Sequence, residues 1–171
     1  MTRKRSGGWT IVELIIVMIV ISILATVAAV RFPTSSNRNL ISARNQLMKD
    51  IRIAQSTAIS QQFFCGVYFD FANNKYWLYE HPVHISNIIT NPATGQDYIV
   101  ELSSYNNIEL FATSLGGDTV KFNSKGIPFD VPGKLLVEES VTLIDVQSGN
   151  TIQIFVLPGT GLVKHGDIID G

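Results

Sequence analysis

Glu13 is the residue in this chain best placed to do chemistry, because it is the only ionisable side chain in the 22 residues from Trp9 to Val30, WTIVELIIVMIVISILATVAAV. A charge inside a membrane helix costs roughly 2.5 to 3.5 kcal/mol at the centre on insertion scales, so such a residue calls for a partner. Four residues after Trp9, Glu13 sits about 6 Å into a helix, where water still reaches it. Just upstream lie Gly8 and the three cations Arg3, Lys4 and Arg5. Other constellations are thinner. His81 and His84 share a short loop with Glu80, but two histidines do not close a zinc site. No Gly-x-Ser-x-Gly elbow prepares a nucleophile. Gly116-Gly117 and Gly159-x-Gly161 lack the lysine or following helix of a phosphate cradle, so they read as turns. The residues therefore predict no enzyme, no metal and no cofactor.

The elements that position Glu13 follow from the same stretch. Twenty-two residues at 1.5 Å each give about 33 Å of helix, enough to cross a hydrocarbon core of about 30 Å. An ordinary secretory signal is the rival, with Ala25, Ala28 and Ala29 as its small residues. Its apolar region is shorter, about 7 to 15 residues. Arg31 and Arg38 partly offset the leading cations, yet an eight-residue tail with three positive charges favours an inside N-terminus. A mean hydropathy of +0.22 alongside 46% apolar residues agrees with one membrane segment attached to a single domain within 171 residues. The lone Cys65 cannot form a disulfide within the chain.

Gly8-Trp9-Thr10-Ile11-Val12-Glu13-Leu14, preceded by Arg3, Lys4 and Arg5 and followed by an unbroken apolar run, resembles the class III signal of type IV pilins and type II secretion pseudopilins. The resemblance implies that a membrane-embedded prepilin peptidase cuts between Gly8 and Trp9 and methylates Trp9, leaving Glu13 as the fifth mature residue. Glycine before the cut lets an extended backbone enter a protease unobstructed. Trp9 stands where the family usually has Phe or Met, and a cut one residue earlier, after Gly7, would misplace Glu13. The implied mechanism is assembly: apolar helices of successive subunits pack together, and Glu13 pairs with the free amine of a neighbour's Trp9. A buried pair of that kind sets register more than it stabilises.

Phe32-Pro33 predicts a kink or short break. Beyond it Leu40, Ala43, Leu47, Ile51, Ala54 and Ala58 recur every three or four residues on one helical face, with Arg44, Asn45, Lys49, Arg52 and Gln55 expected on a solvated one. Short β-like runs follow at 63–71, 75–80, 98–102, 108–112, 119–123, 135–146, 151–157 and 162–164. Ala72-Asn73-Asn74 and Gln147-Ser148-Gly149-Asn150 read as hairpin turns, and the stretch from His81 to Asp97 as a surface loop. The fold class expected is α+β: a long N-terminal helix, half transmembrane and half amphipathic, on a small antiparallel β-sheet. The parts are a leader at 1–8, an assembly helix at 9–30, an amphipathic helix at 31–60 and a periplasmic β-rich domain at 61–171.

The helix ending in Ala58-Ile59, the two strands after it and Val120-Lys121-Phe122-Asn123-Ser124-Lys125-Gly126 resemble the GspH/FimT-like minor pilins and pseudopilins. That resemblance implies a subunit in, or priming, a type II secretion pseudopilus or type IV pilus. Its partners would be the prepilin peptidase, other subunits, an inner-membrane assembly platform and membrane lipid. The chain would be a single-pass inner-membrane protein with a periplasmic C-terminal domain. Asp118 and Asp130 flank loops of the kind that hold calcium in some major pseudopilins. FimT-like capture of DNA is the alternative. Charge weighs against it: residues 53–171 hold five Lys and Arg against twelve Asp and Glu, whereas DNA binding needs a cationic footprint.

Overall fold

A computed structural model describes residues 10–31, 35–81, 85–131 and 133–171. They fall into two compact units, divided in sequence after residue 34. The first contains helix α1 (Ile11–Arg31). The second begins with α2 (Ser35–Gln61). The break expected at Pro33 falls in residues 32–34, outside those described.

Helix α2 forms because its apolar residues recur at helical spacing, and all six predicted face residues, Leu40, Ala43, Leu47, Ile51, Ala54 and Ala58, are fully buried. Nine strands follow in sequence order: β1 (Phe64–Asp70), β2 (Lys75–His81), β3 (Ile99–Glu101), β4 (Ile108–Thr113), β5 (Thr119–Phe122), β6 (Pro128–Phe129), β7 (Glu139–Asp145), β8 (Thr151–Val156) and β9 (Val163–His165). Instead of the one small sheet expected, they make two antiparallel sheets, β3-β2-β1-β5-β6 and β4-β7-β8-β9. Short 3₁₀ turns at Leu102–Tyr105 and Gly116–Asp118 carry the chain between them. One apolar cluster joins the buried face of α2 to Val67, Leu78 and Val120 of the first sheet and to Val141, Leu143, Ile152 and Ile154 of the second. The alternation expected along β8 is observed, with Ile152, Ile154 and Val156 buried and Thr151, Gln153 and Phe155 half-buried.

Asn74 couples the sheets. It occupies the left-handed region expected of an Asn turn, at φ 50°. Its side-chain Nδ2 donates to Ile108 O at 2.9 Å and its Oδ1 accepts from Leu110 N at 3.0 Å, both on β4. At the other end of the chain the tail closes over β8. Ile169 and Thr151 exchange backbone hydrogen bonds of 2.9 Å, and Gly166 N donates to Gln153 O.

Three expectations need correction. The run at 135–146 becomes a strand only from Glu139, because Leu135 turns into the core and its amide bonds back to Pro128 O. Pro128 itself belongs to β6, a two-residue edge strand paired with β5 that the prolines had hidden; a proline is tolerated there because an edge needs fewer donors. The stretch from His81 to Asp97 is not a free loop. Ile89 N donates to Leu78 O, Tyr98 N to Ile89 O, and Trp77 Nε1 to Ile85 O at 2.7 Å, so its middle is laid against β2.

Strand β1 lies so close to β5 that a Cβ built on Gly66 would stand 2.5 Å from Val120 O and 2.9 Å from Lys121 Cα. Backbone is the obstacle, and it yields little. Gly66→Ala is therefore expected to cost about 2 kcal/mol, lowering Tm by roughly 4 to 8 °C in a protein of this size. Thermal unfolding followed by circular dichroism checks this, and an unchanged Tm would contradict the close approach.

Candidate assembly site

Helix α1 starts with a built cap. The Oγ1 of Thr10 accepts the Glu13 amide at 3.2 Å, and Thr10 O accepts the Leu14 amide at 3.2 Å. Thr10 is thus the N-cap and Glu13 the third helical residue, the spacing of a capping box, where a carboxylate also meets the positive end of the helix dipole. Past this point the described side chains are apolar on every side and solvent-facing, with Ile11 78% exposed, Met18 65% and Leu24 62%. The two hydroxyls on the way are satisfied within the helix, Ser22 Oγ donating to Met18 O and Thr26 Oγ1 to Ser22 O. That internal satisfaction suits surroundings without water. An all-round apolar helix needs cover from lipid or from other helices.

Of the residues singled out in the sequence, Glu13 lies on α1 as expected. Gly8 and Trp9, the pair expected to be cleaved and methylated, lie outside the described residues. Among the described residues no helix is long and apolar enough to cross a membrane. Side chains of α1 are described from Ile11 to Thr26, about 24 Å of helix against a hydrocarbon core of about 30 Å. The span expected over 9–30 reaches past them at both ends. His84 is likewise outside, and among the described residues no group of three or more His, Cys, Asp and Glu comes together. Asp130 is engaged otherwise, its Oδ2 accepting from Gly116 N at 3.1 Å.

Helix α2 holds what sequence reasoning missed. Asp50 sits within the buried face and is fully buried. Its Oδ2 accepts from Tyr76 OH at 2.7 Å, its Oδ1 from Tyr98 OH at 2.8 Å, and Gln46 Nε2 bridges both oxygens at 3.0 and 3.1 Å. Burial pushes the carboxyl above its ordinary 3.8, while the hydrogen bonds from Tyr76, Tyr98 and Gln46 and the charge of Lys49 pull the other way and only partly offset it. Burial also raises both tyrosines, helped by the carboxylate beside them. The signal was available as a lone Asp at a position continuing the apolar stripe, with Tyr76 and Tyr98 on the strands expected opposite.

Two residues expected on a solvated face also tie the helix to the rest of the unit, Arg52 while exposed and Gln55 while half-buried. Gln55 Nε2 donates to Gly126 O and to Thr160 O, both at 2.9 Å, fastening α2 to two turns. Gly126 closes the first of these at φ 72°, and a Cβ there would meet Ile59 Cδ1 at 2.9 Å, which explains the glycine in the Phe-x-x-x-Gly stretch. Arg52 Nη2 donates to Val163 O at 3.1 Å.

No protein-family model matches the sequence, and neither does any curated protein. Two solved structures share the architecture. The minor pseudopilin EpsH from the type 2 secretion system of Vibrio cholerae superposes at a TM-score of 0.51 with 9% identity, over 75% of this chain and 96% of EpsH. The type IV minor pilin FimU of Pseudomonas aeruginosa PAO1 superposes at 0.50 with 15% identity, over 79% of this chain and 93% of FimU. The fold is that of the type IV pilins and pseudopilins. At such identities the likeness speaks of architecture. In this pilin-like chain that architecture is an N-terminal helix on antiparallel sheets, the α+β class expected from sequence.

A carboxyl whose pKa is raised by folding contributes stability that is fully present below its unfolded pKa and lost as pH rises through the raised value. The stability of the wild type minus that of Asp50→Asn is therefore expected to shift in favour of the wild type as pH falls from 7 toward 4, read from paired thermal melts; the opposite slope would contradict it. Asp50→Ala leaves two tyrosine hydroxyls without their acceptor and is expected to cost about 3 kcal/mol at pH 7.

Proposed function

We propose that this chain is a minor pseudopilin or pilin subunit, incorporated in or priming a type II secretion pseudopilus or a type IV pilus. The observation that carries the reading is α1, a capped helix apolar on all its described sides, whose one acid, Glu13, lies in the first turn of a chain with a pilin-like fold. In this reading the prepilin peptidase removes residues 1–8, cutting between Gly8 and Trp9, and methylates Trp9. Residues 9–30 hold the subunit in the inner membrane, the N-terminus cytoplasmic, with 31–60 and the β-rich 61–171 periplasmic. At the assembly platform the subunit leaves the lipid as its helix packs with those of other subunits.

The Thr10 cap supports a defined role for Glu13. It fixes Glu13 in the first turn of the helix, and in this reading the carboxylate pairs with the free amine of a neighbour's Trp9 when stacked helices bring the two together. A pair formed in an apolar seam penalises every register that leaves the acid alone. Filaments need such a register.

The DNA-capturing alternative gains no support at the C-terminus. Lys164, the one firm cation of the tail, pairs with Glu138 at 2.8 Å.

Mass spectrometry of the mature protein is expected to find an N-terminus at Trp9 carrying one methyl group. A retained leader, or loss of the whole apolar run, would overturn the reading. Glu13→Leu is expected to insert and be cleaved normally, yet to fall at least about tenfold in filament incorporation, measured by pull-down of assembled subunits. The tenfold loss corresponds to about 1.4 kcal/mol, and normal incorporation would remove Glu13 from assembly.

A further inference from the structure

The most exposed line along α2 runs through Arg38, Ser42, Asn45, Lys49, Arg52 and Ser56. Their spacing of four and three residues keeps them on one face, opposite the buried stripe. Every charged residue on that line is a cation. The helix's one acid, Asp50, is turned inward and bound to tyrosines. Along the same face lies a shallow depression of about 450 Å³ lined by Asn45, Met48, Lys49, Arg52, Ile53 and Ser56. Its lining sets two exposed positive charges between a half-buried thioether and a half-buried branched aliphatic, which gives a partner both charge and an adaptable apolar contact.

The complementary surface is on the same molecule but elsewhere. From Asp97 to Leu102 exposure alternates: Tyr98 and Leu102 are buried, and Asp97, Ile99 and Glu101 face solvent. Ile99 is 41% exposed. Strand β3 is the outermost strand of its sheet. The result is an acid-apolar-acid strip on an edge, a charge and shape counterpart of the groove on α2. Among the described residues neither Asp97 nor Glu101 is in an ion pair. Beyond α2 the chain is strongly acidic, with twelve Asp and Glu against five Lys and Arg in residues 53–171.

We infer that the depression on α2 lined by Met48, Lys49, Arg52 and Ile53 docks the Asp97–Ile99–Glu101 edge of a second copy of this chain. The two patches are different surfaces, so the contact is heterologous and leaves one groove and one edge free at each end. Such contacts propagate into open helical assemblies unless the rotation closes a ring. Ion pairs at the rim give orientation and rate, while Ile99 seated against Met48 and Ile53 supplies the apolar contact. The inference rests on the filament-subunit reading and adds to it a lateral contact made outside the apolar helices.

Two variants of the full chain, each with one added cysteine, Ser56→Cys and Ile99→Cys, mixed in detergent micelles under mild oxidation, test it. Cys65 is buried, with burial pushing its thiol up to about 12, so it stays out of the reaction. The mixed disulfide is expected to exceed either homodimer. Adding Lys49→Glu and Arg52→Glu to the first variant, or Asp97→Lys and Glu101→Lys to the second, is expected to cut the yield about tenfold. Reversing both sides together is expected to restore it, with melting curves confirming that each variant folds. Equal homodimer yields, or no restoration by the double reversal, would overturn the inference. So would salt-sensitive binding of duplex DNA lost with Arg52→Glu, which would give this face to nucleic acid instead. Leader processing of the same variants is read separately. A processed chain that does not crosslink sinks this contact and leaves the subunit reading standing, and an unprocessed chain that does crosslink gives the reverse.

Discussion

One constraint organises the β-rich unit: the apolar face of a single helix must be covered by two separate sheets. Residues Leu40 to Ala58 supply a stripe about five turns long, and it is wholly buried. Strands of both sheets contribute to the same cluster. Neither sheet has another helix among the described residues of its unit to close its inner face. The alanines at 43, 54 and 58 let backbones approach, and the ties from Gln55 to two turns hold that approach at fixed height. Asn74 then fastens the first sheet to β4 of the second.

Placing a carboxylate inside this stripe looks wasteful, since an aliphatic residue at position 50 would bury without desolvation. What Asp50 adds is direction. Two tyrosine hydroxyls, one on β2 and one just before β3, converge on it, so a helix slid or rotated by one residue would leave three buried polar groups unmatched. A greasy stripe alone tolerates such slips far better.

What could be read in the sequence was what has a period. The 3.6-residue repeat of α2, the alternation of β8 and the Asn-containing turn at 72–74 each follow from local rules, and each is found where those rules put it. Long-range choices were not legible. That β5 pairs with β1, leaving β4 to head a second sheet, depends on which edges meet after collapse. The prolines near β6 hid a strand only two residues long, and the stretch from His81 to Asp97 looked free because its hydrogen bonds run to β2 rather than within itself. The ties made by Arg52 and Gln55 were missed for a related reason: a polar side chain on an outer helix face gives no sign of a carbonyl brought to it from a hundred residues away. The α1 stretch is simpler, since Thr10, three residues before Glu13, spells its own cap.

The tail that seals β8 carries a consequence for synthesis. Ile169 and Gly166 lie more than a hundred residues after α2, yet they bond to β8, whose Ile152 and Ile154 share one apolar cluster with that helix. Contacts between such distant parts form slowly, and those to the second sheet cannot begin early, because β7 and β8 are synthesised long after α2. The helix must therefore wait with part of its greasy stripe uncovered until β7 and β8 have been made, an interval in which a chaperone's grip matters more than the final stability of the domain.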